Sequence, residues 1–176
     1  GLFITFTPEF AKDFGMQGEL PTAGRAVLFC YVGLVIGDMF SGLLSQLLRS
    51  RKKAVAVFLT LTGIFSCVYV WGPHHSLEAY YGLCLLLGIG TGYWAMFVQM
   101  GAEQFGTNIR ATAATSIPNM VRGSVILSTS IFQGLKGSLG VTMAGLSVVG
   151  LMLVLAFIAL ASLKETFGTD LDYLEE

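Results

Sequence analysis

The chain has 176 residues, 54% of them hydrophobic and another 22 glycine, so about two-thirds of it is apolar or Gly, where soluble domains sit nearer half. Only 12% of residues are charged, about half the ordinary share, and the ten Lys/Arg and eleven Asp/Glu are gathered between long uncharged runs. That excludes disorder and argues against a soluble core, the net charge of −1 argues against a nucleic-acid partner, and the runs are too long and too uniformly apolar for β-barrel strands. A helix needs about 20 apolar residues to cross the hydrocarbon layer, which leaves room for five or six spans.

Residues 1–16, GLFITFTPEFAKDFGM, open on Gly1 rather than Met and read as the last turns of a helix belonging to a longer chain. The stretch becomes charged at Glu9, Lys12 and Asp13, and Pro8 can kink it. The first complete span is expected over about 22–48, ending at the basic loop of Arg49, Arg51, Lys52 and Lys53. A second run, 54–71, is just long enough to cross, and a short turn with His74 and His75 leads to a third span over 79–100. The polar segment 101–110 precedes a fourth span, 111–135, which Pro118 should kink, and KGSLG leads to the fifth, 141–163. The acidic tail 164–176 is expected outside the membrane. The predicted fold class is thus an all-α membrane protein, one helical bundle over 1–176 whose first helix is truncated. Four of the ten Lys/Arg lie in 49–53, so the positive-inside tendency puts that loop in the cytoplasm. Alternation then puts Arg110 and Lys164 on the same side, with Lys12, Arg25 and Lys136 opposite.

Three stretches carry a resemblance: GDMFSGLLSQLLRSRKK (37–53), GYWAMFVQMGAEQFGTNIRATAATSIPNMVRG (92–123) and KETFGTDLDYLEE (164–176). Together they resemble the C-terminal half of a major facilitator superfamily (MFS) transporter, from the end of helix seven through helix twelve. The basic loop is similar to the second copy of that superfamily's glycine, aspartate and arginine loop motif, with Gln46 and Leu47 where the motif has an acid and a base. AEQFGTNIR is similar to the loop between helices ten and eleven of sugar, organic-acid and aromatic-acid symporters. The resemblance implies the C-terminal six-helix half of the MFS fold, partnered by an N-terminal six-helix half of the same transporter and by membrane lipid. It further implies alternating-access transport of a small-molecule substrate, an organic acid or sugar with a coupling proton, in a bacterial inner membrane. The other reading is a non-transporting scaffold or receptor-like protein of the same fold.

Asp38 lies eleven residues before Arg49 and Arg122 twelve after Arg110, which puts both about 17 Å from the same ends of their helices. A lone charge at that depth is costly, so each must face protein or water, and the two are expected to face each other. Such a pair either lies on the substrate or proton route, with Asp38 as its protonatable member, or simply holds two helices together. Tyr80 and Tyr81 are expected at the membrane rim as aromatic anchors, whereas Tyr93 and Trp94 lie deep enough to touch a substrate or to pack in the core. Gln99, Asn119 and Gln133 are hydrogen-bonding groups inside spans, Asn119 beside the carbonyl that Pro118 frees. Glu9, Lys12 and Asp13 are candidates for an external gate, with ordinary interfacial charges as the alternative. Gly33/Gly37, Gly88/Gly92 and Ser124/Ser128 are small-residue pairs four apart, suited to close helix seams. Cys30, Cys67 and Cys84 sit in apolar runs and read as buried packing residues. No spacing suggests a metal, a cofactor or an enzyme's catalytic group.

Overall fold

The computed structural model describes residues 2–16, 19–72 and 76–168, and all its regular elements are helices. They are α1 (Leu2–Thr5), α2 (Thr7–Asp13), α3 (Ala23–Leu48), α4 (Arg51–Trp71), α5 (Leu77–Gly90), α6 (Trp94–Ala102) and α7 (Thr107–Ser162). His74, His75 and the tail beyond 168 lie outside the described residues.

Ala23–Leu48, Arg51–Trp71, Leu77–Ala102 and Thr107–Ser162 are each long and apolar enough to cross a membrane. As one rod, the 56 residues of α7 would be about 84 Å long, against a hydrocarbon layer of about 30 Å. Gly140 resolves this: its φ of 79° and ψ of 168° are non-helical and open essentially to glycine alone, so they divide α7 into arms over 107–139 and 141–162. The expected KGSLG connection is therefore helical up to Leu139, and a single residue makes the corner. Pro118 does not interrupt the first arm, since Gly140 is the non-helical residue inside α7. With α1 and α2 as one short rod and α5 and α6 as one broken rod, the described residues form a bundle of six rods, the first very short.

Two further boundaries differ from the sequence pattern. The basic residues at 49–53 do not form a loop. Arg49 takes a left-handed conformation (φ 48°, ψ 38°) that ends α3, Ser50 caps α4 by accepting from Lys53 N at 3.1 Å, and Arg51–Lys53 are already helical. The expected third span is broken at residues 91–93, between α5 and α6.

The tightest packing is between α3 and α5. A Cβ on Gly33 would stand 2.1 Å from Leu85 O, one on Gly88 2.0 Å from Cys30 O, and one on Gly92 2.3 Å from Gly37 Cα. The two glycine pairs thus face each other, and the helices touch backbone to backbone. Lipid offers no hydrophobic drive between helices, so such van der Waals closeness is what holds them. Ser124 and Ser128 instead bond Val121 O and Val125 O within their own helix, and both lie outside any such seam.

One end of the bundle is filled by rings from α1, α2, α4, α5 and α7. Phe10 meets Phe3 edge-on at 5.1 Å and stacks on Phe132 at 5.9 Å, while both Phe rings press on the space above Gly145. Tyr69 and Tyr80, both fully buried, share a hydroxyl–hydroxyl bond, and Tyr80 also donates to Thr7 O at 3.4 Å. Tyr80 and Tyr81 are core residues rather than rim anchors: each has its hydroxyl spent on protein, Tyr81 by accepting from Thr22 N at 3.2 Å. Pro8 lacks the N–H that Ile4 O would receive, and Thr7 Oγ1 replaces it at 2.9 Å. Cys84 is buried, but Cys67 is exposed on α4, contrary to its expected packing role. The outer face of α3, with Leu28, Tyr31, Val35, Met39, Phe40 and Leu47, is exposed apolar surface suited to lipid or to a further helix bundle.

Gly92→Ala should cost about 1–3 kcal/mol or prevent folding, because its methyl meets backbone on α3. Gly82→Ala, with open space around it, should stabilise by about 0.5–1 kcal/mol through helix propensity. Thermal unfolding in detergent compares the two.

Candidate functional site

The break in the α5/α6 rod lies within an apolar run, where every freed backbone group needs a protein partner. Gly90 O, which a continuous helix would pair with Trp94 N, instead accepts from Thr62 Oγ1 of α4 at 2.8 Å. Ala95 N, which would pair with Thr91 O, instead donates to Asp38 Oδ1 of α3 at 3.2 Å. Tyr93, at the N-cap position of α6, offers no side-chain hydrogen bond, so the cap comes from α3. Beside this joint Tyr93 is half-buried against Phe58 at 6.4 Å, and Trp94 meets Phe97 edge-on at 5.6 Å.

Asp38 and Arg122 do not pair. The ion pairs among the described residues are Arg51–Glu103 and Lys136–Glu9. Arg122 projects from the first arm of α7 and is exposed, as are Thr112, Thr115 and Asn119. Their spacing of three, four and three residues puts all four side chains on one helix face. Asn119 turns back on this face, its amide donating to Thr115 O at 3.0 Å.

Toward the start of α7 this face borders an open cleft of about 610 Å3 between α6 and α7, with Gln99, Glu103, Thr107 and Arg110 among small alanines. Gln99 Nε2 donates to Glu103 Oε1 at 3.1 Å. Arg51 Nη1 stands 2.6 Å from the same oxygen, an ion pair in distance without the angle of a linear hydrogen bond, and Glu103 Oε2 is buried with no hydrogen-bond partner. Arg51, Lys52 and Lys53 stand in the first turn of α4, the positive end of its dipole, which is an unfavourable place for cations. Glu165, just past α7, offsets this. Its carboxylate accepts from Ser50 Oγ, from Arg51 N at 3.0 Å and from Lys52 N at 3.3 Å. Lys52 Nζ reciprocates by donating to Ala161 O at 3.2 Å and Leu163 O at 2.6 Å, carbonyls at the end of α7. Gln104 adds a two-point bond to the Lys164 backbone, at 3.0 and 3.3 Å. Burial raises the Glu165 carboxyl, but hydrogen bonds from Ser50, Phe167 N, Arg51 N and Lys52 N outweigh it and hold it below its ordinary value of 4.5.

At the opposite end the charges of the first rod have structural partners. Glu9 pairs with Lys136, and Asp13 Oδ2 accepts from Thr142 N at 3.1 Å and from Thr142 Oγ1. Asp13 therefore caps the second arm of α7 immediately beyond the Gly140 corner, while Lys12 is exposed. Of the basic cluster, Arg49 and Lys53 are exposed.

Glu103, Gln104, Glu165 and Thr142 were not singled out by sequence. For Glu103 and Glu165 a signal existed, since each is an acid within one or two residues of the end of an apolar run in a chain whose basic residues also collect at helix ends. Comparisons with protein-family models, with curated proteins and with solved structures returned no match. The fold and its apolar helices define the class: an integral, polytopic α-helical membrane protein, with an architecture capable of transport.

Glu165 has a folded pKa below its unfolded one, so its contribution to stability is complete above 4.5 and is lost as the pH falls through the lower, folded value. Glu165→Gln should remove that component, giving a shallower acid loss in thermal unfolding below pH 4.5. Asp13→Ala should cost about 0.5–2 kcal/mol as a lost cap, and Glu9→Gln, half-exposed, only about 0–1 kcal/mol. Denaturation at neutral pH separates them.

Proposed function

We propose that this bundle is one half of a secondary active transporter that moves a small polar solute by alternating access. The observation that carries this reading is the exposed polar face of Thr112, Thr115, Asn119 and Arg122 on a helix apolar enough to cross a membrane. Arg122 is 15 residues beyond Thr107 and 17 before Leu139, near the middle of the first arm. An arginine there costs about 2.5–3.5 kcal/mol on insertion scales if it faces lipid. That face is therefore better matched by a water-filled route or by a second bundle, and a route between two bundles supplies both. The resemblance to the C-terminal half of an MFS transporter supports the same reading, with an N-terminal six-helix half as partner. It also supports a bacterial inner membrane, and the basic cluster at 49–53 supports a cytoplasmic Arg51–Glu165 end.

Arg122 favours an anionic organic substrate, such as an organic acid, over a sugar. Proton coupling is the coupling mode that the resemblance implies. No enzymatic step is part of the proposal. The alternative, a non-transporting scaffold of the same fold, is favoured by the internal hydrogen bonds of Asp38, Gln99 and Asn119, which leave those side chains already occupied.

Proteoliposomes carrying the whole protein, offered organic acids, sugars and organic cations with and without a proton gradient, test both readings. Gradient-dependent uptake of one class is expected, and Arg122→Gln should lower uptake of an organic acid about tenfold or more, the equivalent of one charge-assisted contact. Absence of uptake across the panel would favour the scaffold.

A further inference from the structure

We propose that Asp38 is a positioning residue: its carboxylate holds the start of α6 against α3 and so fixes Tyr93 and Trp94 at the α5/α6 joint, beside the cleft that α6 lines. This rests on the transport reading for its functional meaning, but not for its geometry. Three observations meet at the joint. Asp38 Oδ1 receives Ala95 N–H at 3.2 Å, in place of the acceptor that the break at residues 91–93 takes away. Tyr93, which occupies the cap position, supplies nothing from its side chain. Gly92 is pressed against α3 so closely that a Cβ there would be 2.3 Å from Gly37 Cα and 2.7 Å from Asp38 N.

The glycine contact and the carboxylate have different jobs. Contact between glycine backbones sets how near the two helices come, but it is non-directional and does not specify how α6 leaves the joint. A carboxylate on the Ala95 amide of the first turn does specify this, because a hydrogen bond weakens steeply with angle and an anion suits the positive end of a helix. Thr62, on the other side of the break, fixes the end of α5 through Gly90 O. α5 is thus tied to α4 and α6 to α3, so the residues between them, Thr91 to Tyr93, form the joint.

Two changes remove this bond from opposite sides. Asp38→Ala removes the acceptor. Ala95→Pro removes the donated N–H and leaves the carboxylate in place, since proline is tolerated in the first turn of a helix. Asp38→Asn keeps an acceptor oxygen without the charge. In the whole protein with Trp71→Phe, Trp94 is the remaining tryptophan of these 176 residues. We expect Asp38→Ala and Ala95→Pro each to shift Trp94 emission to the red and increase its quenching by a water-soluble quencher. The double variant should go no further than either single one, and Asp38→Asn should stay close to the parent. In uptake, the first two should raise KM about tenfold with a smaller change in kcat, the factor carried by one charge-assisted hydrogen bond. The proposal is overturned if Ala95→Pro leaves the Trp94 signal unchanged, or if Asp38→Asn matches Asp38→Ala while Ala95→Pro matches the parent. A protein with no uptake at all would defeat the transport reading, while the Trp94 measurements would still decide the position of α6.

Discussion

The demand that shapes this molecule is that a helix beginning in or near a membrane must find acceptors for its first amides. Three of its helical segments find them in a carboxylate from a remote part of the chain. Asp13 reaches the second arm of α7, Asp38 reaches α6, and Glu165 reaches α4. An acid within its own first turn could not meet these needs in the same way, because a remote acid also joins two rods. Each carboxylate gains from the helix dipole, and each bond fixes the angle between the element that gives the acid and the one that receives it. Scarce charges are placed where one group serves electrostatics and architecture together.

Glycine supplies the complementary restraint. Where α3 meets α5, backbone meets backbone at Gly33, Gly37, Gly88 and Gly92, and Phe29 stacks on Tyr81 beside that seam. The bundle thus combines a close, smooth seam with directional bonds at its margins. The aromatic nest of Phe3, Phe10, Tyr69, Tyr80 and Phe132 fills one end and brings the short first rod into contact with α4, α5 and α7.

The membrane character and the first two long helices were legible because runs of apolar residues bounded by charge are a one-dimensional signal. The glycine pairs were legible too, as positions four apart, although which pair faced which was not. The break at 91–93 was hidden because its freed groups are satisfied by Thr62 and Asp38, residues distant in sequence. Pro118 removes one donor, yet the helix continues through it. Gly140, one of 22 glycines, gave no local sign that its positive φ would divide α7. At the candidate site, depth along the helix was readable for Asp38 and Arg122, but azimuth was not, and azimuth decides that one caps a helix while the other is exposed.

The mutual capping of α4 and α7 has a consequence for assembly in the cell. Ser50 and Glu165 are 115 positions apart, and Lys52 reaches carbonyls 109 and 111 positions later. Synthesis proceeds from the N-terminus, so α4 and its three leading cations are made well before the acid that completes them exists. Until the residues after the last span emerge, the start of α4 must rely on water or lipid headgroups for its amides. The latch between α4 and α7 therefore closes only after α7 has been made, and a chain that stops short of Glu165 would leave the start of α4 without it.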